Sequence, residues 1–307
     1  MGHKFVITGG AGFIGSNLAE ALAGENEVVI IDDLSTGKAK NISSMDVRFI
    51  EGSITDPSLL RAAFEGADCV FHQAAIPSVQ RSVEDPIRTG RVNIEGTLNV
   101  LVAARDAGVE RVVYASSSSV YGDTPELPKS EDMCPSPKSP YAVAKLAGEA
   151  YCAVFNELYG MRTIALRYFN VYGPRQDPGS DYAAVIPRFV SALLRDEPPV
   201  IYWDGEQTRD FTYVKDVVSA NILASRCDAT GVFNAAGGMR ISVNRLAELI
   251  GENLGKKVRP VYTDPRQGDV RDSLADIRRA KEMGYAPGFT IEEGLRETVR
   301  WFSAKMG

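Results

Sequence analysis

Tyr141 and Lys145 stand four residues apart in the segment SPYAVAK, and a run of serines, Ser116 to Ser119, lies upstream in ASSSSVYG. Residues four apart on a helix share one face. An ammonium beside a phenol favours the phenolate and lowers a pKa that is ordinarily about 10. The pair therefore reads as a base able to take a proton from an alcohol near neutral pH. Little else in the chain competes for that role. It has two histidines, His3 and His72, too few for a Ser-His-Asp hydrolase or a histidine zinc site. His72 ends the apolar run CVFH and reads as a hydrogen-bonded strand-end residue. Cys69, Cys134, Cys152 and Cys227 show no C-x-x-C spacing, which suits scattered reduced thiols.

The elements that must position such a base begin at the N-terminus. Lys4 to Thr8 (KFVIT) is β-rich and runs straight into GGAGFIGS and the helical pattern FIGSNLAEALAG. Gly9, Gly12 and Gly15 have G-x-x-G-x-x-G spacing. Gly9 permits a tight strand-to-helix turn, Gly12 lets a pyrophosphate approach the backbone, and Gly15 lets the helix lie close to the sheet. The anion would then rest on the free amides of the helix start. A second strand, VVIID, ends at Asp32, where a carboxylate can hold the hydroxyls of an adenosine ribose. It would repel a 2′-phosphate, so the cofactor expected is NAD.

Further strands follow at Val47–Glu51, Asp68–His72, Arg111–Ser116 and Arg162–Phe169, with helices between them, including Val92–Gly108. This alternation predicts an α/β fold with a doubly wound parallel Rossmann sheet. Ligands in such sheets bind at the carboxyl ends of strands. Gly9, Asp32, His72 to Ala75, Ser116 to Ser119 and Asn170 all fall at such ends. After Asn170 the texture changes: IYWDGEQTRDF alternates like a strand hairpin, and helical patterns surround it. The expected division is 1–169 with 211–236 as the NAD-binding domain and 170–210 with 237–307 as a smaller C-terminal substrate-binding subdomain. A net charge of −6 over 307 residues, without a basic run, argues against nucleic acid or an anionic membrane as partner. No apolar run approaches 18 residues and no secretory signal is apparent, so the expected location is cytoplasmic.

Together, TGGAGFIGS, the acid ending strand two, HQAA, ASSSSVYG, SPYAVAK, RYFNVYGPRQ and TRDFTYVKD resemble the extended short-chain dehydrogenases/reductases that act on nucleotide sugars. The resemblance runs essentially end to end. Within that family the chain is most similar to UDP-hexose 4-epimerases, especially the branch acting on UDP-N-acetylglucosamine. The resemblance implies Tyr141 as the base, Lys145 as ligand of the nicotinamide ribose and Ser117 as sharer of the sugar-hydroxyl bond. It implies NAD contacts at Gly9, Gly12, Phe13, Ile14, Gly15, Asp32, Asp33, Ser35, Thr36, Gly37, Ser53, Ile54, Gln73, Ala74, Ala75, Asn93, Ala115, Tyr141, Lys145 and Tyr168. For the UDP-sugar it implies Val79, Ser117, Ser118, Ser119, Tyr141, Asn170, Ala184, Val185, Tyr202, Arg209, Arg266, Asp269 and Ser273. Among these, Asn170, Arg209 and Arg266 would hold the phosphates and Asp269 the uridine ribose. A homodimer built on helix Val92–Gly108 and the Tyr141 helix is also implied.

Two departures concern the cofactor. Ser53 stands where the family usually has Asp, and Pro77 where many epimerases have Lys. Related dehydratases and decarboxylases carry acids where this chain has Ser118 and Ser119, which leaves epimerisation favoured. A UDP-glucuronate 4-epimerase stays open, with Arg81, Arg88 or Arg175 as cation for the sugar carboxylate. So does, from another class, a non-catalytic NAD-sensing regulator, against which the retained Tyr/Lys pair speaks. Ser273 has two readings: a small residue leaving room for an N-acetyl group, or, with Asp276, a helix cap before IRRAKEMG.

Overall fold

The computed structural model describes residues 2–179, 183–265 and 270–306. Its first half runs β1 (Lys4–Thr8), α1 (Phe13–Leu22), β2 (Glu27–Asp32), β3 (Arg48–Glu51), α2 (Pro57–Phe64), β4 (Cys69–His72), α3 (Val79–Glu84), α4 (Pro86–Gly90), α5 (Gly96–Asp106), β5 (Arg111–Ser117) and α6 (Pro140–Tyr159). The second half runs β6 (Arg162–Tyr168), β7 (Val171–Tyr172), α7 (Val185–Leu194), β8 (Val200–Tyr202), β9 (Thr208–Asp210), β10 (Thr212–Tyr213), α8 (Val214–Ala224), β11 (Gly231–Ala235), β12 (Arg240–Ser242), α9 (Val243–Leu254), β13 (Val261–Thr263), α10 (Arg278–Glu282) and α11 (Ile291–Met306).

Seven parallel strands form one sheet in the order β11-β6-β5-β4-β1-β2-β3. The strand order reverses between β1 and β4, which opens a crevice there at the carboxyl edge. The strands read as nearly continuous apolar runs because both faces are covered. Phe5, Ile7 and Ile30 pack with Leu18, Leu22 and Val217 on one side, while Val6, Val29 and Val112 pack with Leu60, Leu101 and Phe155 on the other. This is the doubly wound Rossmann sheet expected. Smaller two-stranded sheets (β10-β7, β12-β9, β13-β8) accompany α7, α9 and α11 around Phe189, Leu246, Ile250 and Phe302.

The helix carrying the Tyr/Lys pair has clear local causes. Ser139 caps it by accepting from the Ala142 amide at 3.2 Å, Pro140 occupies the first turn, and Gly160 ends it in the left-handed conformation. Its inner face presents Ala144, Lys145, Gly148, Glu149 and Cys152 to the sheet. A Cβ on Gly148 would strike the Tyr114 ring, so only glycine lets α6 approach β5 this closely.

Three expectations need correction. Helix Val92–Gly108 in fact continues from α4 through a π-helical turn, Arg91–Glu95, into α5, so helical structure begins at Pro86. The segment IYWDGEQTRDF is no hairpin: β8 pairs in parallel with β13, and β9 pairs antiparallel with β12. Trp203 and Gly205, both with positive φ (70° and 78°), turn the chain away between the two strands. Ser273 caps no helix, because α10 starts at Arg278 with Ile277 as its uncapped N-cap. Among the described residues, no helix is long and apolar enough to cross a membrane.

Candidate active site

A groove of about 650 Å³ lies over the carboxyl ends of β1, β2, β4 and β5. Its floor at the β1–α1 turn is shaped by glycine. Gly9 has φ 72°, and a Cβ there would come within 2.6 Å of the Ala74 amide nitrogen. A Cβ on Gly15 would strike the Gly9 carbonyl, which fixes how tightly α1 folds back on the turn. Gly12 is the N-cap of α1 with no side-chain cap, and no acid sits in the first turn. The amides of that turn therefore face the groove as an anion site.

Asp32 closes the next strand. Its carboxylate accepts from the Ala11 amide at 3.0 Å and the Leu34 amide at 2.8 Å. Burial raises its pKa, and those backbone bonds oppose the rise. A Cβ on Gly37 would lie 2.7 Å from the Asp32 carboxylate, so the loop can close over it only with glycine there.

At β5 and α6 the chemical groups converge. Ser117 ends β5; its hydroxyl accepts from the Ser119 amide at 3.2 Å and lies near enough to the Tyr141 phenol to lower its pKa. Lys145 Nζ donates to the Ala115 carbonyl at 2.6 Å and lies 5.8 Å from the centre of the Tyr141 ring. Burial lowers the Lys145 pKa to about 8, against the opposing charge of Glu149. Burial also raises that of Tyr141, while the Ser117 bond pulls it down. The expected depression of the phenol by Lys145 is not what the structure gives: the ammonium is directed at a carbonyl, and burial of the phenol sets the direction of the shift.

Of the residues expected at the cofactor, all but Asn93 line this groove. Asn93, in the π-helical turn, instead clamps Ile76, accepting from its amide at 2.8 Å and donating to its carbonyl at 3.1 Å. It shapes the groove from behind. Ser53 lines the groove, with its hydroxyl shared with Thr55 at 2.9 Å. His72 is buried between the hydroxyls of Thr8 (2.7 Å) and Thr97 (2.9 Å), and burial drops its pKa to about 3. It is a neutral strand-end brace, as its position suggested.

A second cavity of about 260 Å³ adjoins the groove, the two sharing Ala183 and Ala184. Asn170, Ala184, Val185, Tyr202 and Arg209 line it. Asn170, with positive φ, donates to the Asp210 carbonyl at 3.0 Å and to the Ser273 hydroxyl at 3.2 Å. Arg209 donates to the Thr208 and Arg271 carbonyls at 2.9 and 2.8 Å. Arg266 and Asp269 lie outside the described residues. Val79, Ser117, Ser118, Ser119 and Ser273 line neither space; Val79 is 40% exposed at the start of α3, beside the groove residues Ser78 and Arg81. Ser118 and Ser119 form a short 3-10 turn, and the Ser119 hydroxyl is buried without a hydrogen-bond partner among the described residues.

Sequence reasoning missed two features. Arg188 brings a second guanidinium to the smaller cavity, stacked 5.3 Å over the Tyr202 ring. Its setting in the apolar helix AAVIPRFVSALL was the available signal. Asp210 is fully buried beside the cavity residues Arg209 and Phe211 and accepts from the amides of Gly237, Gly238 and Ala275, each at 3.1 Å, which ties β9 to two distant segments. Burial raises its pKa to about 7.

A dinucleotide groove lined by the Tyr141/Lys145 pair, with Ser117 behind it, and an adjoining cavity with guanidinium groups define an α/β enzyme of the nicotinamide-dependent kind. The chain belongs to the NAD dependent epimerase/dehydratase family, whose model matches residues 5–256. The UDP-N-acetylglucosamine 4-epimerase of Methanobrevibacter ruminantium, solved with UDP-N-acetylmuramic acid, is 44% identical, with full coverage of both chains and a TM-score of 0.97. The UDP-glucose 4-epimerase of Mycolicibacterium smegmatis is 41% identical over 98% of this chain and 99% of its own length. The Thermus thermophilus UDP-glucose 4-epimerase, solved with NAD, is 37% identical over 98% of this chain and 99% of its own, with a TM-score of 0.90.

NAD is the family's cofactor, and the residues here fit it. The uncapped start of α1 suits the pyrophosphate, Asp32 a ribose, and the Tyr141–Lys145 end the nicotinamide side. Among the described residues no cluster suited to a metal ion occurs.

Proposed function

We propose that this NAD-dependent UDP-sugar 4-epimerase interconverts UDP-N-acetylglucosamine and UDP-N-acetylgalactosamine and also accepts UDP-glucose and UDP-galactose. The observation that carries the choice of sugar is Ser273. Its small side chain meets Asn170, a residue of the second cavity; in this reading the C2 substituent of the sugar lies on that side, and a bulky residue would crowd it. The high similarity to a UDP-N-acetylglucosamine 4-epimerase supports the same reading.

In this reading Tyr141 takes the proton of the C4 hydroxyl and later returns it, while Ser117 shares the hydrogen bond to that oxygen. Bound NAD supplies a reversible hydride acceptor. Lys145 holds its end of the groove positive, which favours the phenolate once a proton must move. Arg209 and Asn170 hold the diphosphate, with Arg188 beside them, so the 4-keto sugar stays tethered while it turns. Ser118 and Ser119 offer no carboxylate, so dehydration and decarboxylation lack their acid. Residues 1–169 with 211–236 would serve the cofactor and 170–210 with 237–307 the UDP-sugar; β11 joining the large sheet supports that division.

A second reading, UDP-glucuronate 4-epimerisation, has support from Arg81 and Arg88, which line the groove. Arg175 is engaged elsewhere, by Glu20 at 2.6 Å and Asn17 at 3.3 Å. Product analysis by NMR with UDP-N-acetylglucosamine, UDP-glucose and UDP-glucuronate distinguishes the two. Turnover of none of them, and no bound NAD, would leave the sensing regulator.

A homodimer is part of the proposal. Val83, Ile87, Val143 and Leu158 expose apolar side chains on α3, α4 and α6, with Ile87 84% exposed. Sedimentation at two protein concentrations tests it. Four unpaired cysteines suit a cytoplasmic setting.

A further inference from the structure

Behind the Tyr/Lys pair lies a buried ionic cluster that proton transfer itself does not require. Glu149 follows Lys145 by four residues on α6 and is 5% exposed. Its carboxylate accepts from Arg167 of β6 through two bonds, at 2.8 and 2.7 Å, and from the Ser116 hydroxyl at 2.5 Å. Arg167 in turn stacks 4.6 Å over the Tyr121 ring. Ser116 sits between the two residues that act on the pair: Ala115, whose carbonyl receives Lys145, and Ser117, which lowers the Tyr141 pKa.

A buried ion pair is seldom retained for stability, since desolvation offsets most of its attraction. Its placement here points to a role in the site. We propose that Glu149 is a positioning residue: through Ser116 it holds the end of β5 so that Ala115 meets Lys145 and Ser117 meets Tyr141. One helical turn from Lys145, its charge also favours the ammonium against the burial that lowers it. The proposal rests on the reading of Tyr141 and Lys145 as the proton-transfer pair.

Among the described residues, the surroundings offer no substitute for that charge. Apart from Tyr141 itself, whose ring lies 5.8 Å away, Lys145 faces the Tyr114 ring at 5.1 Å and His72, and burial keeps both of these neutral. Glu149 faces Arg167, Ser116, Tyr114 and Cys152, of which only Arg167 is charged. Burial raises the pKa of both Tyr114 and Cys152.

The test uses the NAD-loaded protein with lysine labelled at Cε, reading the Lys145 titration by NMR beside the kcat pH profile. Glu149→Gln should lower the Lys145 midpoint by about one pH unit, carrying the alkaline limb of kcat with it. KM should stay within about twofold, since a positioning loss falls on kcat. Arg167→Gln breaks the same ion pair but leaves the Glu149 charge, so the midpoint should hold or rise. A purely structural role makes the two variants behave alike, and that outcome overturns the proposal. Ser116→Ala leaves the ion pair standing and should cost about tenfold in kcat with the Lys145 titration unmoved. If the charge variants fail to fold, an unchanged kcat in Ser116→Ala overturns the proposal instead. A wild-type protein turning over no UDP-sugar would refute the epimerase reading, while the lysine titration would still decide the role of Glu149.

Discussion

The Lys145 ammonium donates to the Ala115 carbonyl at 2.6 Å, while the Tyr141 ring centre lies 5.8 Å away. Helical spacing brings the two side chains to one face, but the strand end decides where the charge points. Ser117, from that same strand end, is the group that pulls the phenol's pKa down against burial. The base is therefore built from β5 as much as from α6.

Tyr141→Phe removes the hydroxyl placed to exchange the C4 proton. Its kcat should fall about 10³-fold, within the usual range for a general base. A coupled assay following UDP-sugar conversion checks it, with circular dichroism to verify folding. A drop below tenfold would mean another group takes the proton.

Ser117→Ala should lower kcat by about 10²-fold with KM little changed, because the lost bond matters most as the proton moves. Ser117→Thr keeps a hydroxyl at the same atom and should recover most of the rate. Steady-state kinetics on both variants reads this out.

Gly15→Ala places a methyl against the Gly9 carbonyl, so the turn must open. NAD affinity should fall at least about tenfold, since the pyrophosphate loses aligned amides. Cofactor content after gel filtration measures it. Full retention of NAD would contradict the placement of the pyrophosphate at this turn.

His72 makes stability fall in acid. Its pKa is lowered by burial from the ordinary 6.5 to about 3, so below pH 6.5 the unfolded chain takes up a proton that the folded chain refuses. Stability from this group is complete above pH 6.5 and is lost as pH falls toward 3. The slope is about 1.4 kcal/mol per pH unit across that window. Urea unfolding of His72→Gln between pH 7 and pH 4 should show a flatter pH dependence than wild type.

Ser273→Tyr should reduce activity on UDP-N-acetylglucosamine at least about tenfold more than on UDP-glucose, the scale of a steric clash in a fitted pocket. Equal losses on both sugars would show that Ser273 acts through its bond to Asn170 and not through its size.

The sheet and the groove were legible in the sequence because their determinants are local. Strand runs, the glycine turn and the Tyr141/Lys145 spacing each act within a few residues, and the parallel sheet then brings strand ends together. What could not be read rests on contacts between distant segments. Asn93 belongs to no strand end, yet a π-helical turn aims it at Ile76. Asp210 gathers amides from residues 237, 238 and 275, which no spacing rule connects. The supposed hairpin failed for the same reason: β8 and β9 find partners far along the chain, at β13 and β12. Arg188 is the lone charge in an apolar helix that otherwise reads as core; the pattern marks it but does not say which cavity it enters.

The most direct test of the proposed reaction is a one-dimensional proton NMR time course of the purified protein with UDP-N-acetylglucosamine. The expected result is growth of UDP-N-acetylgalactosamine, identified by its anomeric and H4 signals, to a stable mixture without added NAD and without loss of any sugar carbon. An unchanged spectrum under conditions where UDP-glucuronate is converted would contradict it.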